Sequence, residues 1–436
     1  MASGIHNTND RIFYKSSRSW HRIYFIVLFV YAYGNFLVEI VPPLTQAVSI
    51  VRAVADFLLL LFGVKALVYR ENKVLRLLVV FFVIISSVTF YLNSSTTTLF
   101  VHLNGLREPL VLIVALAMLA HIFYSDGRGR FVRSMNKFLL VFLVIQIPVA
   151  FSQFFRFGAG DQVGGTFSDG GSGMLSQIIF LAVYYLLLVR AGKPNGVGFR
   201  LNKVTPLLIL FIPVFINQTK ISFVFFAVLA LLQVRVQLNL AKVFFTIAAG
   251  AVALFLFVKI LAATTDIDLA DYLDPDTIEK DFFSDWAAAE DITRFGKLVI
   301  AYDQFENEPY KHIWGAGYGL MKGKSVIETS EAGRDLERLY FGSRIQFFST
   351  YLQGGLLFTA LFLILNFYYF TSSRNTHFKY NFIRFKSFAF SLFVLMWIYN
   401  DALLVTYFNL FAAYFLVFIK HGDMSLTSSM LPRSRS

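Results

Sequence analysis

The chain has 436 residues, of which 57% are hydrophobic and only 15% charged, with a mean hydropathy of +0.62. That composition belongs to polytopic membrane proteins. The absence of cysteine excludes disulfides and thiolate metal sites.

A helix crosses hydrocarbon with about 20 apolar residues. On that criterion the sequence predicts twelve spans, at about 22–40, 46–67, 74–92, 108–124, 137–153, 173–189, 204–217, 220–234, 243–262, 344–369, 384–399 and 402–419. The polar start and the basic residues Arg11, Lys15, Arg18 and Arg22 lead straight into a full-length span, so no cleavable signal peptide is expected. The seventh and eighth spans are short and tightly joined, which fits a broken or re-entrant pair. On the second span, Arg52 and Asp56 are spaced to neutralise each other on one helix face.

The net charge of +12 raises nucleic acid as a partner, but its distribution argues for topology instead. With the N-terminus inside, the inner segments hold 25 of the 39 Lys and Arg residues but only four acids, Asp10, Glu71, Asp126 and Asp423. That bias predicts both termini on the cytoplasmic side and the long loop outside. No nucleic-acid partner is expected.

Each cation left on the outer side needs its own reason. These are Arg107 and Arg156 beside short loops, Lys220 in the turn Asn217-Gln218-Thr219-Lys220, Arg294 and Arg338 in the long loop, and Arg344 opening the tenth span. Cations from different loops at one interface suit a lipid phosphate or pyrophosphate, because guanidinium forks bind phosphate oxygens bidentately. The loop at 156–173 is rich in glycine and includes Gly165-Thr166-Phe167, where the backbone can approach a ligand closely.

Between Ala263 and Gly342 runs the one polar stretch long enough to fold outside the bilayer. Residues 278–305 have helical character with an apolar face. Pro309 ends that stretch, and Gly315, Gly317 and Gly319 form a turn. His312 is the only histidine there and a candidate general base, alongside carboxylates such as Asp303 and Glu308.

These elements together resemble the bacterial O-antigen polymerase and O-antigen ligase superfamily of integral membrane glycosyltransferases. The resemblance covers roughly residues 100–360 and rests on Arg107, Arg156 with Gly165-Thr166-Phe167, the 217–220 turn, Arg294-Phe295, Pro309, the glycines at 315, 317 and 319, and Gln353-Gly354-Gly355-Leu356-Leu357. Ligases commonly carry a His-Asn pair where this chain has Ser343-Arg344-Ile345-Gln346, which favours a polymerase.

The resemblance implies an all-α polytopic protein of the bacterial inner (cytoplasmic) membrane. It would have about 12 transmembrane helices: 1–262 holding helices one to nine, 263–343 a large, partly helical periplasmic loop, 344–419 helices ten to twelve, and 420–436 a cytoplasmic tail. It implies metal-independent, cofactor-free joining of undecaprenyl-pyrophosphate-linked oligosaccharide repeats, with a chain-length regulator and a flippase as partners. Pyrophosphate contacts would fall to Arg107, Arg156, Lys220, Arg294, Arg338 and Arg344. Catalysis would fall to Arg156, Arg294 and His312, and glycan contacts to Gly165, Thr166, Phe167, Gly315, Gly317 and Gly319. Ligase-type transfer to another acceptor and transport of lipid-linked sugars are the alternatives.

Overall fold

The computed structural model describes residues 9–69, 72–125, 127–158, 160, 162–168, 170–190, 209–217, 222, 225, 294–319, 344–371 and 379–421. The predicted spans at 220–234 and 243–262, and the positions Lys220 and Arg338, lie outside the described residues, apart from 222 and 225. Among the described residues the regular structure is entirely helical. The helices are α1 (Asn9–Ile40), α2 (Thr45–Leu67), α3 (Lys73–Leu92), α4 (Leu99–Tyr124), α5 (Arg128–Phe157) and α6 (Ser172–Arg190). They continue with α7 (Ile212–Ile216), α8 (Arg294–Gln304), α9 (Tyr310–Trp314), α10 (Gln346–Tyr368), α11 (Lys379–Tyr399) and α12 (Thr406–His421). Seven of them, α1 to α5, α10 and α11, contain stretches long and apolar enough to cross a membrane. The chain is a helical membrane protein.

Successive helices run up and down. The end of the bundle where α1 finishes and α2 begins is the upper end. The break there is local chemistry: Val41 precedes Pro42-Pro43 and takes a non-helical conformation (φ −129°, ψ 79°), after which the prolines form a short 3-10 turn. At the same end Thr98 caps α4 by accepting the amide of Val101. At the lower end, Trp20, Tyr69 and His121 form an aromatic cluster, with the Tyr69 and His121 rings stacked at 4.1 Å.

α4 is the axis of the bundle, packed on α2 and α12. Its residues from Val111 to Ala120 are all buried. α2 approaches closely through Gly63, where a Cβ would lie 2.3 Å from that of Val114. Such small residues are what let two helices pack tightly where lipid supplies no hydrophobic drive.

Two segments fold into the upper end of this frame. The first holds Phe211 and Phe225, which both pack on Phe180 of α6, at 5.1 and 5.2 Å. Asn217, buried at the end of α7, donates to the carbonyl of Ser172 and to Ser176 Oγ.

The second is residues 313–319. Gly355 breaks α10 with φ 66° and ψ −167°, which frees the carbonyls of Leu352 and Gln353 from their helical partners. The amides of Ala316 and Gly317 take those carbonyls at 2.8 and 3.1 Å. Glycine is required on both sides: a Cβ on Gly315 would sit 2.5 Å from the Gln353 backbone, and one on Gly355 would sit 2.2 Å from the Ile313 carbonyl. Tyr318 then inserts fully buried between α3, α4 and α10, against Phe82, His102 and Phe358.

The predicted helix at 278–305 is seen as α8 from Arg294 to Gln304, its earlier part lying outside the described residues. Pro309 does not end that helix. It opens the next one, α9, as proline suits a helix start.

Gly105 of α4 faces Gly319 so closely that a Cβ would lie 1.9 Å from the Gly319 amide nitrogen. Gly105→Ala is therefore expected to push the 315–319 turn off the bundle at a cost of about 1–3 kcal/mol. A lowered melting temperature in detergent and faster proteolysis between 313 and 319 would show it; an unchanged protein would refute the packing.

Candidate functional site

The glycine-rich loop between α5 and α6 is a packed element. Gln146 and Gln153, two turns apart on the buried face of α5, use their side-chain amides as a second backbone. Gln153 accepts from the Gly165 amide at 2.8 Å and donates to its carbonyl at 2.9 Å. Gln146 accepts from the Thr166 amide and donates to Thr166 Oγ1, both at 2.9 Å. Gly165 adopts φ +61°, and a Cβ there would lie 2.3 Å from Gln146 Oε1. From α1, Asn35 donates to the Phe167 carbonyl at 3.0 Å, and Glu39 accepts from Gln153 and from Ser168 Oγ. Gly165, Thr166 and Phe167 are all buried, and the Phe167 ring stacks on Tyr407 of α12 at 4.4 Å.

Directly beside this loop lies a cluster of charges. Tyr31 of α1 donates to Asp56 Oδ1 of α2 at 2.5 Å. Arg107 of α4 pairs with Asp56 Oδ2 at 2.9 Å and donates to the Tyr31 hydroxyl at 3.4 Å. The sequence spacing suggested an Arg52–Asp56 pair, but Asp56 is taken by Arg107 and Tyr31. Arg52 turns instead to Asn35 Oδ1, at 2.5 Å.

A second pair stands nearby, where Arg344 meets Asp401 at 3.1 Å and Ser349 donates to the same carboxylate oxygen. Tyr407 joins the two groups, lying within electrostatic reach of Asp401, Glu108 and Arg52. The Arg107 side chain is 41% exposed while its partner Asp56 is 10% exposed. Leu103, Asn104 and Glu108 on the same helix are also partly open, whereas α4 below them is closed. These residues form the open face of the charge cluster, above the buried part of α4.

His312 of α9 sits above α10, its Nδ1 hydrogen-bonded to the Tyr351 hydroxyl at 2.5 Å and its ring against Tyr302 and Phe305. Glu308 is held below the usual carboxylate range by the Lys311 ammonium beside it, with Tyr310 adding a second hydrogen bond. That acid is engaged with its own loop and is a weak base.

The structure thus brings Arg107 and Arg344 into one region with Gly165, Thr166 and Phe167. Arg156 is exposed on the last turn of α5, and Arg294 begins α8. Gly315, Gly317 and Gly319 serve the contact with α10 and α4. Sequence reasoning missed Tyr31, Asn35, Gln146, Gln153 and Asp401. Two glutamines seven apart in the largely apolar stretch from 138 to 155 of α5 were the available signal for one of these contacts. Among the described residues no group of three His, Asp or Glu side chains is arranged to hold a metal ion.

No family model matches the chain, and no curated protein matches it.

Removing either α5 glutamine leaves a buried loop amide and acceptor unmet, a loss of about 1–3 kcal/mol. Gln146→Ala and Gln153→Ala are each expected to lower the melting temperature measurably, whereas Arg156→Ala at the exposed end of the same helix leaves it within the effect of about 0.5 kcal/mol. Equal melting of all three would contradict the clamp.

Proposed function

We propose that the protein is a polymerase that joins lipid-linked oligosaccharide repeats at the periplasmic face of a bacterial inner membrane. In this reading the upper end is periplasmic, both termini are cytoplasmic, and about twelve helices span the bilayer. The observation that carries the reading is the convergence of Arg52, Arg107 and Arg344 with Asp56, Glu108 and Asp401 at one end of a membrane bundle. A surface polysaccharide is built from an anionic lipid donor and a neutral sugar hydroxyl, and such a cleft offers groups for both.

The chemistry is a displacement at an anomeric carbon. The acceptor sugar hydroxyl attacks, the bond from that carbon to the pyrophosphate oxygen breaks, and the bonding electron pair leaves with the pyrophosphate. The guanidinium groups meet the charge that grows on the leaving group, an effect worth about 10²–10³ in rate for one well-placed donor. The hydroxyl proton passes to a carboxylate of the cleft, for which Glu108 is the choice, since Asp401 is held by Arg344 and Ser349. Tyr407, stacked on Phe167, offers an aromatic surface beside the cations for a sugar ring. Asp56 and Tyr31 act through Arg107 by fixing its guanidinium, so they are positioning residues.

The purified protein, given an undecaprenyl-pyrophosphate repeat unit with EDTA present, is expected to produce a ladder of repeat multiples on a gel. Arg107→Ala and Arg344→Ala are expected to reduce the ladder at least about 100-fold while remaining folded. Folded wild-type protein that elongates nothing, yet transfers glycan to a supplied core acceptor, would replace polymerase by ligase.

A further inference from the structure

Arg52 is a membrane-embedded cation whose sequence partner is committed elsewhere. Both oxygens of Asp56 are engaged, one by Tyr31 and one by Arg107. The direct contacts of Arg52 are neutral, Asn35 Oδ1 at 2.5 Å and the face of the Tyr31 ring, 5.8 Å from its guanidinium carbon, while Asp56 lies within electrostatic reach without a direct bond to it.

Yet the surroundings are shaped to keep it there. α1 offers Gly34 at the contact, where a Cβ would lie 2.9 Å from Arg52 Nη2. Asn35 is itself anchored to the Phe167 carbonyl, so its oxygen is held in register with the buried loop. Arg52 and Arg107 flank the same tyrosine, one over its ring and one at its hydroxyl, and each lies in the repulsive field of the other. Asp56 and Glu108 face Arg107 while Arg52 stands on the other side of Tyr31, so the two guanidinium groups share one local field.

We infer that Arg52, presented by Asn35 and paired across Tyr31 with Arg107, is an anion-binding residue that takes the diphosphate headgroup of an isoprenoid lipid. This rests on the reading of the cleft as the site of a lipid-diphosphate donor, and adds to it a residue on α2. Guanidinium forks match phosphoryl oxygens bidentately, and an anion bridging the two arginines removes their mutual repulsion. Approach along the open face of α2 suits a lipid, because the upper half of that helix has little protein cover.

The test is binding, followed by the melting temperature of the full-length protein in detergent titrated with undecaprenyl diphosphate, inorganic diphosphate or phosphatidylglycerol. Undecaprenyl diphosphate is expected to stabilise the wild type, and Arg52→Gln to weaken that effect at least tenfold. Arg52→Lys is expected to fall between them, since it keeps the charge and loses the fork. Should Arg52→Gln fail to fold, Val48→Glu decides. It adds a carboxylate one helical turn from Arg52, removes no hydrogen bond, and is expected to weaken binding about tenfold.

Wild-type binding by Arg52→Gln or by Val48→Glu overturns the inference. A phosphatidylglycerol effect as large as the diphosphate effect, and equally dependent on Arg52, also overturns it in favour of an ordinary phospholipid seat. Inorganic diphosphate that acts alone supports headgroup recognition over tail recognition. Arg52-dependent binding without any glycan ladder would retire the polymerase reading and leave the anion seat in place. A normal ladder from Arg52→Gln would retire the seat alone.

Discussion

A polar group inside a bilayer has no water to turn to, and most of the architecture at the upper end of this protein follows from that constraint. Where α10 breaks at Gly355, the freed carbonyls are met by the amides of Ala316 and Gly317. Where the glycine-rich loop dips among the helices, Gln146 and Gln153 meet its backbone groups with their own amides. Irregular backbone at membrane depth is tolerated only under such terms. Both arrangements need glycine for the same reason, because the contacts run from backbone to backbone or from amide to backbone with no room for a Cβ.

The consequence is a rigid rim around a cluster of charges. The Gln clamps hold Phe167, Phe167 fixes the ring of Tyr407, and Asn35 links that loop to Arg52. From the other side, the Asp56–Arg107 pair ties α2 to α4, and the Arg344–Asp401 pair ties the start of α10 to the turn before α12. Partly exposed pairs of this kind add little net stability. They hold the guanidinium groups of Arg107 and Arg344 in fixed orientations at the upper end of the bundle.

Much of the frame was legible in the sequence, because uninterrupted apolar length is a strong signal. The boundaries were less so. α4 was predicted from 108 but begins at Leu99, because His102, Asn104 and Arg107 lower the local hydropathy. Only the tertiary structure shows that neighbouring helices and the cleft shelter those residues. Arg107 and Arg344 stood out as cations on the side where positive charge has no topological purpose. Arg52 did not, since an acid four residues away looked sufficient; which carboxylate an arginine meets depends on α1 and α4, far off in sequence. The triple glycine at 315–319 was visible as a place for close approach, but the sequence could not say that the approaching partner is α10.

The central claim is that the open face of Arg107 meets water on one side of the membrane. The chain contains no cysteine, so a single introduced thiol reports alone. The most direct measurement compares Arg107→Cys with Ala115→Cys, two turns deeper on α4, using a membrane-impermeant thiol reagent applied separately from each side. The account predicts that Arg107→Cys reacts only from the side of the upper end and that Ala115→Cys, fully buried, does not react. Protection of Arg107→Cys from both sides, or equal labelling of the two positions, would contradict it.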